Sequence, residues 1–180
     1  MAAITTYCGH ALDPIRPERA LIDIRDIAHA LSLLCRANGH FPTFYSIAQH
    51  CLHCAAEAEA RGLGARVSLA CLLHDASEAY ISDITRPVKS ALAEYRVIEE
   101  RLQTVIYEAF LHACPEEEEL RLVREIDDAL LCHEFFSQMG EMLFDTVPRL
   151  VTAPVFDFVP FAEIETAFLR TFERLYAELM

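Results

Sequence analysis

Leu72–Lys89 reads LLHDASEAYISDITRPVK, and the fold turns on where this run changes character. The residues leading into it, Val67 to Leu73, are almost wholly apolar and do not alternate, which reads as the buried part of a helix. That helix meets an adjacent His74-Asp75 pair, then an acid one turn later at Glu78, another at Asp83, and Pro87, which closes the segment. Titratable groups at the end of a buried helix are costly to desolvate unless something pairs with them. A metal ion is the partner this arrangement points to.

Working outward, helical spacing recurs on both sides. Upstream, a helix starts at Asp23 as its cap, carries Ile24, Ile27, Ala28, Leu31 and Leu34 on one stripe, and stops at Asn38-Gly39. A second helix runs from about Tyr45 to Arg61, ended by Gly62 and Gly64, and the third covers about Ala65 to Tyr80. Ser82 to Pro87 reads as a loop, because the residue before a proline avoids the helical region. A fourth helix spans about Val88 to His112. The tract Cys114-Pro115-Glu116-Glu117-Glu118-Glu119 reads as a helix start, with Pro115 at the first helical position and acids in the first turn, and this fifth helix reaches about Gly140. A sixth covers about Phe161 to Leu179. Residues 1–20 form an arm, and 145–160, with three prolines and no helical period, form an irregular loop: a lid, an interface or a packed connection. The expected architecture is all-α, a single domain over 1–180 built as a bundle of about six helices.

At 180 residues the chain can bury a substantial core without staples. Its hydrophobic fraction of 53% is high for a monomer of this size and points to a homodimer or larger homo-oligomer. No stretch approaches the roughly 18 apolar residues of a membrane span, and no secretory signal is visible, so a cytoplasmic location is expected. The seven cysteines are an odd set lying partly in apolar helical runs, so a disulfide framework is not expected. His50-Cys51-Leu52-His53-Cys54 offers four zinc-type ligands, but the interleaved spacing points two one way round a helix and two another, which argues against a closed structural zinc site. A net charge of −13 excludes a nucleic-acid backbone or an anionic membrane as the main partner. It leaves room for a small phosphorylated substrate, because a bound cation and one or two arginines reverse the field locally.

The titratable residues inside apolar helical stretches are His50, His74, Asp75 and Asp127. Two imidazoles and two carboxylates from three helices make a mixed N/O donor set with positions left for water or substrate, the composition of a catalytic metal site. Such a site binds one divalent ion, with Zn, Mn, Co, Fe and Ni all compatible, and suits phosphoester hydrolysis. Arg36 and His40 fall at a helix end and in a loop, off the apolar stripe.

The order H…HD…D, with HD in an LLHD context and an acid one turn after Asp75, resembles the HD-domain metal-dependent phosphohydrolases. HDASEAYISDITRPVK with its upstream YSIAQH is similar to the branch containing bacterial HD-domain 5′-deoxynucleotidases, over about Arg36 to Glu134. The resemblance implies His50, His74, Asp75 and Asp127 as metal ligands. Asp128 competes for the last place, and the acid at Glu134, two turns beyond Asp127, favours Asp127. It implies Glu78 as the catalytic acid that orients or deprotonates water, Asp83 as a second catalytic acid or a sugar contact, and Arg36 as the phosphate-binding guanidinium. His40 and Lys89 are further candidate substrate contacts. Ala37 departs from the pattern, since relatives often carry a tryptophan directly after that arginine and this chain has none. The implied activity is hydrolysis of a nucleoside (deoxy) 5′-monophosphate. The alternatives are removal of triphosphate or pyrophosphate from a nucleotide and a non-catalytic nucleotide- or metal-binding module.

Overall fold

The computed structural model describes residues 3–180. The chain is all-α. Eight helices are present among the described residues: α1 (Ile24–Leu33), α2 (Ile47–Ala60), α3 (Gly64–Leu73), α4 (Glu78–Ile81), α5 (Arg86–Ala91), α6 (Ala93–Phe110), α7 (Glu117–Met139) and α8 (Phe161–Leu179). A small antiparallel hairpin, β1 (Ile4–Thr5) with β2 (Ala11–Leu12), precedes them, pairing Ile4 with Leu12 and Thr5 with Ala11. No helix among the described residues is long and apolar enough to cross a membrane.

The centre of the bundle is α3. Its residues Val67 to Leu73 are all buried, and it packs against α2, α7, α6 and α8. The amphipathic α8 buries Ile164, Phe168, Phe172 and Leu175 and packs against α1, α2 and α3. A fully buried side chain such as Phe168 contributes roughly 2–3 kcal/mol by its removal from water.

Eight helices stand where about six are expected, and the two extra boundaries matter for the site. The expected third helix breaks after Leu73. His74 to Ser77 form turns, with Ala76 N–H donating to Leu73 O and Glu78 N–H to Asp75 O, before the short α4 begins at Glu78. The expected loop over 82–87 is only partly a loop, because Thr85 starts α5 with Pro87 inside its first turn, where a missing N–H costs nothing. Leu92 then separates α5 from α6, so the expected start of the fourth helix near Val88 moves to Ala93.

The first helix also ends sooner than expected. Asp23 caps α1 by accepting from Arg25 N–H, but α1 stops at Leu33, not at Asn38-Gly39. Ladder bonds win over helix extension here: Ile47 N–H donates to Leu34 O at 3.0 Å and Arg36 N–H to Tyr45 O at 2.8 Å, while Cys35 bridges Ser46. The chain then reverses through left-handed Ala37, Asn38 and Gly39, with φ of 51°, 50° and 76°. This places Arg36 against α7.

At the acidic tract, Glu116 is the cap of α7 and forms a capping box with Glu119, so Pro115 precedes the cap and does not occupy the first helical position. The arm is ordered over its described residues: Cys8 N–H donates to Asp26 Oδ1 at 2.6 Å, and the Tyr7 ring stacks on His29. The segment 145–160 is a packed connection. Glu57, buried on α2, accepts from the N–H groups of Val151 and Thr152 and from the Thr152 hydroxyl, and Gln138 donates to Phe156 O.

Candidate metal centre and adjoining cavity

Four donor atoms from three helical units meet at one place. Ser46 caps α2 by accepting from Gln49 N–H, and the first turn of α2 then carries His50 inward, fully buried. His74 and Asp75 leave the end of α3 in the turn that breaks the expected long helix. Asp127 comes from the middle of α7. His50 Nε2 lies 3.2 Å from His74 Nε2, 3.1 Å from Asp127 Oδ1 and 3.9 Å from Asp75 Oδ2. His74 Nε2 lies 3.3 Å from Asp75 Oδ2 and 3.7 Å from Asp127 Oδ1. Asp128 turns away, its side chain 45% exposed and bonded to Arg86 at 2.8 Å.

Hydrogen bonds on the far side of each ring fix which nitrogen faces inward. His74 Nδ1 lies 2.7 Å from Cys71 O, and a carbonyl only accepts, so Nδ1 carries the proton there. His50 Nδ1 donates to Glu134 Oε1 at 2.5 Å. In the neutral tautomers both Nε2 lone pairs face one another and two carboxylates, a set of acceptors that needs a cation between them. Donors bound about 2.1 Å from one ion stand about 3.0–3.5 Å apart, close to the spacing of these four. Two buried thiols also adjoin the imidazoles: Cys54 Sγ is 3.5 Å from His50 Nε2, and Cys51 Sγ is 4.0 Å from His74 Nδ1. The groups His50/Cys54/His74 and Cys51/His74/Asp75 could each hold a metal ion. The residues therefore fit a divalent ion.

Burial opposes charge on both imidazoles, and Arg36 opposes it on His50, yet Cys54, Glu134 and Asp127 hold His50 well above the ordinary histidine value, and Asp75, Cys51 and Asp127 do the same for His74. Burial likewise opposes ionisation of Asp75, and His74 overcomes it, holding that carboxyl below its usual range. For Asp127 the bonds from His50 and His74 overcome burial in the same sense.

Glu134 is a residue whose part the sequence does not disclose. Fully buried, it accepts from His50, from Tyr45 Oη at 3.0 Å and from Arg36 Nη2 at 3.2 Å. Burial raises its pKa, but His50 and Arg36 outweigh that and hold it at about 2. Its position two turns from Asp127 on α7 is the signal that puts it on the same face. His53 lies against Tyr45 Oη at 2.9 Å, and burial pushes its pKa down to about 4.

A cavity of about 520 Å³ opens beside the four donors. It is lined by Arg36, Asp75, Glu78, Asp83, Lys89 and Asp127, and its apolar wall includes Leu131, Phe135, Leu143 and Phe144. Arg36 Nη1 reaches Asp75 Oδ2 at 3.4 Å, so the guanidinium bridges the donor cluster and the cavity. Glu78 is buried with Oε2 unpartnered, and burial, then Asp75 and Asp83, push its pKa well above the carboxylate range. Lys89 Nζ stands 3.6 Å from Glu78 Oε1 and 2.6 Å from Glu99 Oε1. Asp83 lines the cavity without joining the donor cluster. His40 is exposed and does not line it, because the left-handed turn at Ala37–Gly39 carries it outward while Ala37 itself forms part of the wall.

No family model matches the chain. It is similar to the uncharacterized protein YfdR of Escherichia coli (strain K12), with 36% identity over 110 residues, 61% of this chain and 59% of that protein. It is also similar to an uncharacterized protein of Rhodobacter capsulatus, with 39% identity over 108 residues, 57% of this chain and 55% of that protein. The chain thus matches little more than half the length of either relative, and neither name assigns an activity.

Proposed function

We propose that this chain is an HD-type metal-dependent phosphohydrolase that releases phosphate from nucleoside (deoxy) 5′-monophosphates. The observation that carries the reading is that the His50 and His74 Nε2 atoms lie within 3.9 Å of each other and of both Asp75 and Asp127, beside an arginine-lined cavity. These four residues would hold the ion. When bound, it polarises a phosphoryl oxygen and makes a water nucleophilic at neutral pH. Arg36 presents its guanidinium where a phosphate adjoining Asp75 and Asp127 would lie, and planar guanidinium groups bind phosphate through two parallel bonds. Glu78 borders the same cavity, and with burial and Asp75 holding its carboxyl well above the usual range it is assigned to orient the attacking water by a hydrogen bond. Asp83 is placed to meet the leaving group or the sugar, and Leu131, Phe135 and Phe144 offer an apolar face for a base.

The cationic groups around the cavity support the monophosphate over a triphosphate. Arg36 is paired with Glu134 and Asp75, Arg86 with Asp127 and Asp128, and Lys89 with Glu99 and Glu78, so few cationic groups are left for a longer phosphate chain. The exposed side chains Phe136, Met139, Met142 and Phe158 support association with a second copy, which light scattering of the purified chain would test.

A phosphate-release screen over nucleoside mono-, di- and triphosphates with several divalent metals, before and after chelation, tests the reading. Inorganic phosphate from monophosphates, lost on chelation and restored by metal, is the expected result. Release of triphosphate from nucleoside triphosphates would move the chain to the alternative reaction, and binding without turnover of any of them would make it a binding module.

A further inference from the structure

The donor cluster has a second side. Three buried cysteines lie beside the His50–His74 pair: Cys51 and Cys54 on α2 and Cys71 on α3. Cys54 follows His50 by one helical turn, so both side chains project from the same face of α2. Its Sγ sits 3.5 Å from His50 Nε2, and the donor atoms of His50, Cys54 and His74 all lie within 4.8 Å of one another. An imidazole nitrogen and a thiolate bound side by side to one zinc, at about 2.1 and 2.3 Å, stand about 3.1–3.6 Å apart. Cys51 has a different relation to the cluster: its Sγ is nearest His74 Nδ1, the nitrogen already committed to Cys71 O.

We infer that Cys54 is a thiolate ligand to the ion held by His50 and His74, so that this centre takes a thiophilic divalent metal, zinc or cobalt, in preference to manganese. The inference rests on the metal-site reading above and adds to it a sulfur donor that the N/O set does not include. Thiolate selects softer ions, whereas carboxylate and water alone suit manganese and magnesium. Binding replaces the S–H bond with an S–metal bond, and the proton leaves to solvent. The carboxylates of Asp75 and Asp127 supply the remaining donors from the cavity side.

Cobalt(II) titration of the metal-free chain, read by absorption, separates the two layers of the reading. Stoichiometric cobalt with visible ligand-field bands and a near-ultraviolet sulfur-to-cobalt charge-transfer band is expected. The charge-transfer band should be lost in Cys54→Ser and kept in Cys51→Ser, with the ligand-field bands surviving in both. Ligand-field bands without the charge-transfer band in the unsubstituted chain would overturn the thiolate while leaving the metal site standing, and this outcome needs no variant to fold. A charge-transfer band lost in Cys51→Ser and kept in Cys54→Ser would also overturn it. No cobalt binding at all would overturn both readings. As a second measurement, Cys54→Ser should lose more affinity for zinc than for manganese, and equal losses would contradict the inference.

Discussion

Glu134 Oε1 and His50 Nδ1 are 2.5 Å apart inside the protein, both side chains fully buried, and this contact sets the direction in which His50 Nε2 points. The same carboxylate holds Arg36, so one residue on α7 aligns a metal-type donor and a phosphate-type donor together. Glu134→Gln keeps the volume but not the charge. Losses of such outer partners typically weaken metal binding about 10- to 100-fold. Competition titration with a zinc chelator is expected to show a loss of that size, and an unchanged affinity would remove Glu134 from the centre.

Asp127 and Asp128 are neighbours in sequence with opposite surroundings: one 3.1 Å from His50 Nε2, the other largely solvated beside Arg86. Asp127→Asn should lose bound metal by elemental analysis, and Asp128→Asn should keep it. The converse pattern would reassign the ligand.

Glu78 borders the cavity and contacts no imidazole, so its removal should separate metal binding from turnover. Glu78→Gln is expected to retain metal at the unsubstituted stoichiometry while kcat for phosphate release falls about 10²- to 10⁴-fold, the usual range for a lost acid or base. Retained turnover would remove it from the mechanism.

The connection after α7 is pinned by Glu57, whose carboxyl has a pKa of about 2. Burial would raise that value, but the bonds from Thr152, Val151 and Arg61 lower it below the unfolded 4.5. A depressed acid stabilises the fold above its unfolded pKa and loses that contribution as pH falls towards its folded pKa. Unfolding measured in urea between pH 5 and pH 2 should therefore show a loss that Glu57→Gln makes smaller. Because the carboxylate lies just beneath the surface, screening brings the full linkage value down to about 2 kcal/mol. Parallel pH profiles for the two proteins would disprove the assignment.

The helical class and the approximate positions of α2, α3, α6, α7 and α8 were legible because each buries a stripe at helical spacing, a signal carried by local order alone. Val67 to Leu73 is the clearest instance, since a run with no polar face has nowhere to go but the middle of the bundle. Boundaries set by distant partners were not legible. Leu34 leaves the helix because Ile47 N–H bonds to it from across a loop, and no residue near Leu34 announces that bond.

What the sequence offered by itself is an inventory: chemistry-bearing side chains on apolar helices, with His50, His74, Asp75 and Asp127 as candidates to share a partner. Tertiary structure decided which atoms of that inventory meet. It separated Asp127 from Asp128, turned His40 to solvent while bringing Arg36 inward, recruited Glu134 and Tyr45 behind His50, and set Cys54 against the imidazole pair. The reason is geometric. Helical periodicity fixes the face on which a side chain lies, whereas the ångström-scale approach of donors from different helices depends on where each helix ends and how it packs, which only the assembled core specifies.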